Sequence, residues 1–318
     1  MKRLMGLILS AALLVGLLAG CAGTPAGNNG TSTPDASGDT QEAAWPRIYV
    51  DNTGAEVVVE KQPERVAMTH FSVIEPFYAL GVAPAAAFDN GLIDSTPILE
   101  PLRNTGIIEL GYPVNLELLA SVEPDLIIIT THADNVKLRD ELEKIAPVIQ
   151  PCWTEDYTLD DNLREYAKIV GKEAEAEKLI ENKYAKLAEA REQLASVEDT
   201  VMIMGLYEKS VSIYGLPVNA PLYAENGLGL NAPEDLPDIW WEQSSLEALA
   251  VFNPDHIFIR ATQEQFDQGI AAMSDSSVWN ALTAVKNGQV YPLDETMFIS
   301  GPLGVHLLAD FVVEKLLK

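Results

Sequence analysis

The residues best suited to binding chemistry are aromatic, imidazole and guanidinium side chains that follow short apolar runs. We expect these side chains to contact a ligand: His70, Phe71, His132, Tyr207, Tyr214, Trp240, Trp241, Arg260, Met297 and Phe298. The same rule marks further polar or aromatic positions after predicted strands, at Phe88, Asp89, Asn90 and Thr131. Ligands of open α/β sheets lie beyond the carboxyl ends of the strands, which makes these positions candidates.

Arg260 and the pair Trp240 and Trp241 are the most informative of these candidates. Arg260 follows the apolar run Ile257–Ile259, where a charge is costly unless it is paired. Its partner is either a ligand oxygen, such as a carboxylate or hydroxamate, or an internal acid, and the sequence leaves both open. Two adjacent tryptophans are not easily buried on one element, so we expect one of them to face the ligand.

Direct metal capture and catalysis are disfavoured by the residue pattern. The four histidines, His70, His132, His256 and His306, are too scattered to predict a zinc or manganese cluster. The sequence contains no G-x-S-x-G, G-x-x-x-x-G-K-[ST] or C-x-x-C motif. We therefore expect no catalytic residues, no resident metal and no cofactor. We expect His256 and His306 to be structural.

The composition excludes a nucleic-acid partner. The 318 residues carry 21 basic and 47 acidic side chains, for a formal net charge of −26. Such a surface repels a polyanion. The only cysteines are Cys21 and Cys152, and because Cys21 lies in a leader segment, we expect no disulfide in the mature fold.

The leader predicts the compartment. Lys2-Arg3 precedes an uncharged run, Leu4–Ala19, which is shorter than the ~20 residues of a bilayer span and typical of a secretory signal peptide. The run ends in Leu18-Ala19-Gly20-Cys21, which resembles the lipobox of bacterial lipoproteins. The resemblance implies a signal peptide at 1–20, lipidation of Cys21 and a lipid anchor on the extracytoplasmic face of the bacterial cell membrane. The small polar residues that follow predict a flexible tether, so that 21–45 comprises the lipidated cysteine and this tether.

The elements that position the candidate residues alternate between strands and helices, which predicts parallel sheets covered by helices. Predicted strands lie at 65–68, 85–88, 125–129, 148–149, 201–204, 211–214, 256–259 and 290–291. Predicted helices lie at 72–80, 136–145, 220–227, 277–282 and 304–317. A longer helix is predicted at 172–196, a segment that contains neither proline nor glycine.

An internal repeat indicates that the chain contains two similar lobes. Asn115–Ile129 aligns with Ser245–Ile259 at an offset of 130 residues, with eight of fifteen positions identical. Each copy predicts a polar N-cap, a short helix, a proline stop and a buried strand. The fold class is therefore α/β, with two Rossmann-like lobes that have central parallel sheets and are joined by one long α-helix. We place the lobes at 46–165 and 198–318 and the connecting helices at 166–197.

The repeat, together with Asn280–Tyr291 (NALTAVKNGQVY), resembles the periplasmic binding proteins with a rigid interdomain helix that serve importers of ferric siderophores, haem and cobalamin. The resemblance covers residues 46–318. It implies a monomeric substrate-binding protein of an ABC importer, which delivers its ligand to a permease dimer with its ATPase and closes little on binding. Iron would enter only as part of a bound chelate.

The same family carries one acidic residue per lobe that pairs with permease arginines, and Glu117 and Glu247 occupy the matching positions. The alternative is a first-turn glutamate favoured by the helix dipole.

The identity of the ligand is the most open of these expectations. Within the family, segments 65–81 and 301–308 look most similar to siderophore binders. Basic residues near predicted strand ends are few, mainly Arg260 with Lys137 and Lys209, which favours a neutral or weakly charged ferric hydroxamate over an anionic catecholate. The alternatives are a cobalamin- or haem-binding protein of the same family and, from a different class, a surface-tethered hydrolase.

Overall fold

The computed structural model describes residues 44–152, 158–207, 210–299 and 301–317. The strands are β1 Arg47–Val50, β2 Glu56–Val59, β3 Val66–Met68, β4 Ala86–Ala87, β5 Ile108–Glu109, β6 Leu126–Ile128, β7 Val148–Ile149, β8 Val201–Leu206, β9 Val211–Tyr214, β10 Trp241–Ser244, β11 His256–Arg260 and β12 Val290–Leu293. Helices of the first half are α1 Ile74–Ala79, α2 Leu92–Ser95, α3 Leu116–Ser121, α4 Ala133–Lys137, α5 Arg139–Leu142, α6 Leu159–Val170 and α7 Glu173–Leu194. Those of the second half are α8 Ala220–Tyr223, α9 Leu246–Phe252, α10 Gln263–Met273, α11 Ser277–Ala281, α12 Thr283–Lys286, α13 Glu295–Ile299 and α14 Gly304–Leu316. Two 3-10 helices cover Phe71–Val73 and Pro97–Leu102.

The strands form two five-stranded sheets, one in each lobe, and a separate β1–β2 hairpin. The N-terminal lobe has the order β5-β4-β3-β6-β7, with every pair parallel. The C-terminal lobe has the order β10-β9-β8-β11-β12, in which β8, β11 and β12 are parallel. Its edge differs from the prediction, because β9 and β10 run antiparallel to their neighbours. The predicted α/β class with central parallel strands is confirmed.

The central strands are buried on both faces, as continuous apolar runs predict. Every residue of β3 and β6 is buried, and so are the first five residues of β8. Helices cover both faces of each sheet, so that each lobe has apolar clusters on either side of it. This rigid arrangement brings the carboxyl ends of parallel strands to one edge of each sheet.

Helix α7 connects the cores of the two lobes. Ala176 and Ile180 in its first half pack with the N-terminal core, whereas Leu187 and Leu194 in its second half pack with the C-terminal core. The helix spans Glu173–Leu194, close to the predicted 172–196. The residues of α7 belong to both cores, so no boundary between the lobes is visible along this helix. The predicted lobes at 46–165 and 198–318 and the connecting helices at 166–197 stay a prediction.

Two predicted helices differ from those observed. The helix predicted at 136–145 is two short ones, α4 and α5, because the amide of Leu138 bonds to the carbonyl of Asn135 in a tighter turn. The helix predicted at 220–227 ends at Tyr223, since the backbone of Ala224 is extended. The chain then folds back, so that the amide of Leu228 donates to the carbonyl of Pro221. Among the described residues, no helix is long and apolar enough to cross a membrane.

Candidate functional site

The two copies of the repeat hold the strand ends in equivalent ways. The side chains of Asn115 and Ser245 cap helices α3 and α9 by accepting the amides of Leu118 and Ala248, at 3.0 and 3.3 Å. Asp125 then accepts the amides of Glu64 and Arg65, and Asp255 accepts the amide of Thr200 at 2.9 Å. These bonds tie β6 to β3 and β11 to β8 at their amino ends. The carboxyl ends of the same strands are thereby placed in register.

The N-terminal wall of the cleft is a cluster of stacked rings. His70 and Phe71 follow β3, Phe88 follows β4 and His132 follows β6. The ring of His70 stacks on His132 at 4.1 Å and on Phe71 at 4.3 Å, and meets Phe88 edge-on at 6.3 Å. The predicted strand-end residues of this lobe therefore do come together.

His70 is a neutral member of this cluster. It is only 7% exposed, and burial together with the neighbouring His132 lowers the pKa of its imidazole to about 4. Its Nδ1 lies 2.9 Å from the hydroxyl of Ser72 and accepts the amide of that residue at 3.3 Å. At neutral pH His70 accordingly contributes an uncharged ring to this wall.

The C-terminal wall is built around Arg260, at the end of β11. Its Nε and Nη2 donate to the two carboxylate oxygens of Glu295 at 2.6 and 2.5 Å, and Nη1 donates to the hydroxyl of Tyr214 at 3.1 Å. The guanidinium lies 4.5 Å from the ring centre of Phe298, which itself packs on Tyr214. Burial alone would lower the pKa of Arg260, but the paired carboxylate outweighs burial and raises it. The internal acid that the sequence left open is therefore Glu295.

Gly205 provides the space for this network. A Cβ atom at Gly205 would lie 3.2 Å from the hydroxyl of Tyr214 and 3.4 Å from the ring of Tyr207. Such contacts are tighter than ordinary packing allows, so a side chain here would displace one of the tyrosines. A residue in the core strand β8 thus controls two side chains at the end of the sheet.

Two cavities meet at this network. The cleft cavity, of about 610 Å³, lies between the lobes and is lined by Phe71, Asp89 and Asn90 on one side and by Arg260, Asp294 and Glu295 on the other. The helix cavity, of about 690 Å³, is lined by Asp160, Lys183, Tyr184, Trp240, Trp241 and Phe298, among others. Tyr207, Tyr214 and Arg260 line both. Cavities of this size fit organic ligands. The walls of the helix cavity are largely apolar and aromatic, whereas those of the cleft cavity also carry carboxylates, amides and hydroxyls.

Most of the predicted ligand residues line one of the cavities: Phe71, Tyr207, Tyr214, Trp240, Trp241, Arg260 and Phe298. Three do not. His70 stacks on Phe71 and on His132, but neither histidine is among the residues that line the cavities, and Met297 packs against the C-terminal core. Trp240 and Trp241 are exposed by 45% and 61%, and both line the helix cavity. That one of them faces the ligand stays a prediction.

Several residues of the site were missed by the sequence analysis. Asp294 and Glu295 follow β12, but the predicted strand stopped at Tyr291, two residues short of its end. The strand-end rule would have found both with the correct boundary. The buried ion pair of Asp160 and Lys183 had no such signal, because neither residue follows a strand: Asp160 lies in the first turn of α6 and Lys183 in the middle of α7.

Glu117 and Glu247 both lie exposed in the first turns of α3 and α9.

The remaining predicted residues lie outside the cavities. His256 is buried and its Nε2 lies 3.1 Å from Asp199, and Trp279 is buried in the core. Cys152 is a free thiol, and Cys21 and Lys209 lie outside the described residues. Within the described segments, no group of three metal-ligating side chains converges.

Two α/β lobes, a connecting helix and a ligand-sized cleft between the lobes are the features of a solute-binding protein. A family model, described as periplasmic binding protein, matches residues 66–297, and the chain belongs to that family. The family comprises binding components of transporters and not enzymes. The iron(3+)-hydroxamate-binding protein FhuD of Bacillus subtilis is 30% identical, over 99% of this chain and 98% of that protein.

Two further relatives differ in their named ligands. The Fe(3+)-citrate-binding protein YfmC of Bacillus subtilis is 28% identical, over 92% of this chain and 88% of its own length. A solved structure from Bacillus subtilis, of the FhuD fold family, is a periplasmic binding protein component of a Fep/Fec-like ferrichrome ABC transporter. It superposes with a TM-score of 0.70 at 28% identity, covering 85% of this chain and all of that one.

Proposed function

We propose that this chain is the extracytoplasmic substrate-binding protein of an ABC importer, and that it captures a ferric hydroxamate siderophore in the cleft between its lobes. The observation that carries the choice of ligand is the pairing of Arg260 with Glu295. The guanidinium at the centre of the cleft already has a carboxylate partner, so it offers little to an anionic chelate.

The charge of the iron centre distinguishes the candidate ligands. Hydroxamate groups carry one negative charge each and neutralise ferric iron when its coordination is complete, whereas catecholate groups are doubly charged and leave an anionic complex. An anionic complex in a cleft of paired cations would lose its hydration without gaining a partner. The family relatives named for hydroxamate and ferrichrome agree with this preference.

The protein's part in uptake is capture without chemistry. The aromatic walls, with Phe71 on one lobe and Tyr207 and Trp241 on the other, would hold the organic shell of the chelate. The hydroxyl of Tyr214 and the outer face of Arg260 would orient its oxygens. Iron belongs to the cargo, since the chelator supplies its ligands.

Delivery requires a membrane position and a partner. Lipidation at Cys21 would hold the chain at the outer face of the cell membrane, and Glu117 and Glu247 would dock one lobe each on the permease dimer. Because exposed ion pairs contribute about 0–1 kcal/mol each, they orient the complex more than they stabilise it. Hydrolysis of ATP by the transporter, not by this chain, would drive release.

Intrinsic tryptophan fluorescence of the full-length protein tests the proposal. Titration with ferric hydroxamates, ferric catecholates, haem and cobalamin should give saturable quenching with a hydroxamate alone, corrected with matched free tryptophan. The variant Trp241→Phe should reduce that quenching, while Trp279→Phe, a core position, should not. Saturable quenching by haem or cobalamin alone would show that the ligand is that compound and not a hydroxamate. Chemical alteration of a recovered ligand would favour a hydrolase.

A further inference from the structure

We propose, as an extension of the proposed function, that the cleft selects ferric hydroxamates with a protonated amine outside the iron centre. In this proposal, Asp89 is the residue that recognises the amine. The class of substrate is therefore a cationic trihydroxamate chelate.

The first step is that the described basic residues lining the two cavities are paired with acids. Arg260, which lines both cavities, is held by Glu295, and Lys183, in the helix cavity, is held by Asp160 on α6. Lys137, an exposed residue of α4, is paired with Asp134 at 3.2 Å. The net charge of each ion pair is close to zero. These pairs therefore neither attract an anionic ligand strongly nor repel a cationic one.

The second step is that carboxylates are left over. Asp89 and Asp294 line the cleft cavity from opposite lobes, and Glu109 lies beside Asp89. Within the described part of the chain, none of these three forms an ion pair with a lysine, arginine or histidine. One carboxylate oxygen of Asp294 accepts hydrogen bonds from the amide and hydroxyl of Thr296, at 2.8 and 2.6 Å. One carboxylate oxygen of Asp89 accepts the amide of Gly91 at 2.8 Å. Their negative charge is hydrogen-bonded but not neutralised.

Glu109 is the acid that lies beside Asp89. Burial is the main cause that raises the pKa of Glu109 above its ordinary value; a side-chain hydrogen bond with Asp89 and the charge of Asp89 add to it, against the opposing effect of the amides of Asp89 and Gly111. A cation bound beside Asp89 would relieve the repulsion between the two acids.

The third step is that aromatic faces accompany the carboxylates. Phe71 and Tyr207 line the same cavity as Asp89, and Phe88, the residue before Asp89, lies 6.4 Å from Phe71 and 5.1 Å from Tyr112 between ring centres. An ammonium group gains from a carboxylate and from aromatic faces together. A cavity of rings with an excess of acid suits an organic cation better than a neutral or anionic ligand.

A matched pair of ligands tests the proposal on the full-length protein. Ferrioxamine B has one primary amine, and acetylation of that amine removes the charge while leaving the iron centre unchanged. Interaction with one carboxylate at an intermediate dielectric predicts that the amine form binds about 5- to 10-fold more tightly at low ionic strength. The gap should narrow as salt is added, because the cleft is open to solvent.

Variants identify the residue that recognises the amine. Asp89→Asn keeps the hydrogen-bond acceptor for Gly91, and should reduce the gap between the two ligand forms to about twofold or less. Glu64→Gln removes an exposed acid at the opposite end of the strands and should leave the gap intact. Circular dichroism of both variants checks that they are folded.

The outcomes separate this inference from the proposed function. Binding of both ligand forms with equal affinity would overturn the selection of a cation while leaving hydroxamate capture in place. A gap that persists in Asp89→Asn would overturn the role of Asp89. If the protein bound neither of the two forms nor any other hydroxamate, both proposals would be overturned.

Discussion

The two lobes share a scaffold but present different walls to the ligand. In both copies of the repeat a capped helix, an aspartate tie and a buried strand follow in the same order, and the next helix begins with an N-cap at an equivalent position, His132 or Thr262. The first position after the repeat differs. It is Thr130 in the N-terminal lobe and Arg260 in the C-terminal lobe.

That single position separates two kinds of surface. Thr130 bonds through its hydroxyl to Nδ1 of His132 at 2.9 Å and so supports the stacked rings of His132 and His70. Arg260 instead recruits Glu295, Tyr214 and Phe298 into a charged network. The residues of the repeat therefore determine the shared scaffold of the two lobes. The residues directly after it, Thr130 and Arg260, determine which surface each lobe presents to a ligand.

The largest expected effect concerns the feature that the lobes share. The double charge reversal Glu117→Lys with Glu247→Lys should abolish uptake of the ferric chelate by cells, because two like-charged contacts would replace two attractive ones at the permease. Ligand affinity measured on the purified protein should be unchanged, since both residues are exposed and outside the cavities. The single variants should show partial and similar losses. A double variant that transports normally would remove these residues from docking.

The next effect concerns the feature that the lobes do not share. Arg260→Met leaves the carboxylate of Glu295 half-buried without its partner and should lower the free energy of unfolding by about 2 kcal/mol. Adding Glu295→Gln should recover at least half of that loss, because no unpaired charge remains. Urea unfolding of the two single variants and the double variant measures the coupling.

Thr130→Ala is the matched control, at the equivalent position of the other lobe. It removes two hydrogen bonds, the one with His132 and the one that the side-chain amide of buried Asn135 donates, and should cost about 1 kcal/mol. Losses that are simply additive for Arg260→Met and Glu295→Gln would show that the two residues act independently. The network would then not be what distinguishes the two walls.

The third effect, which appears only at higher pH, concerns a link between the lobes. Glu75, on α1 of the N-terminal lobe, is 3% exposed and accepts the amides of Leu303 and Gly304, at the start of α14, at 2.7 and 3.3 Å. A Cβ atom at Gly301 would lie 1.6 Å from its Oε2, so only glycine fits there. Burial raises the pKa of Glu75 from 4.5 to about 7, against the opposing effect of the two amides.

The sign of the expected pH dependence follows from this raised pKa. The folded state holds the proton more tightly than the unfolded state, so ionisation of Glu75 lowers stability as the pH rises from 4.5 to about 7 and causes no further loss above that. Glu75→Gln mimics the protonated form. It should match the parent protein near pH 5 and exceed it by about 2 kcal/mol near pH 8 in urea unfolding. The exposed control Glu64→Gln should show no such difference, and a Glu75→Gln variant that is less stable at pH 8 would contradict the assignment.

The sequence predicted regular elements well where local pattern dominates. The absence of proline and glycine over 172–196 predicted α7 to within two residues at either end. It missed strands that are short and partly exposed. The strands β1 and β2 were not predicted, because each has only four residues and few of them are buried. A partner distant in sequence holds the end of β1, since Asp51, the next residue, pairs with Arg139, 88 residues away.

What the sequence by itself determined is the two-lobed α/β scaffold, because helix caps, proline stops and buried strands are written in neighbouring residues and appear twice. It also determined which strand ends carry aromatic residues. Only the tertiary structure decided the partners of charged residues: Glu295 for Arg260, Asp160 for Lys183 and the start of α14 for Glu75. These pairs are separated by 35, 23 and more than 200 residues, and nothing local encodes them. The charge that the cleft offers a ligand depends on which of its ionic groups are already matched, and that is a property of the folded arrangement.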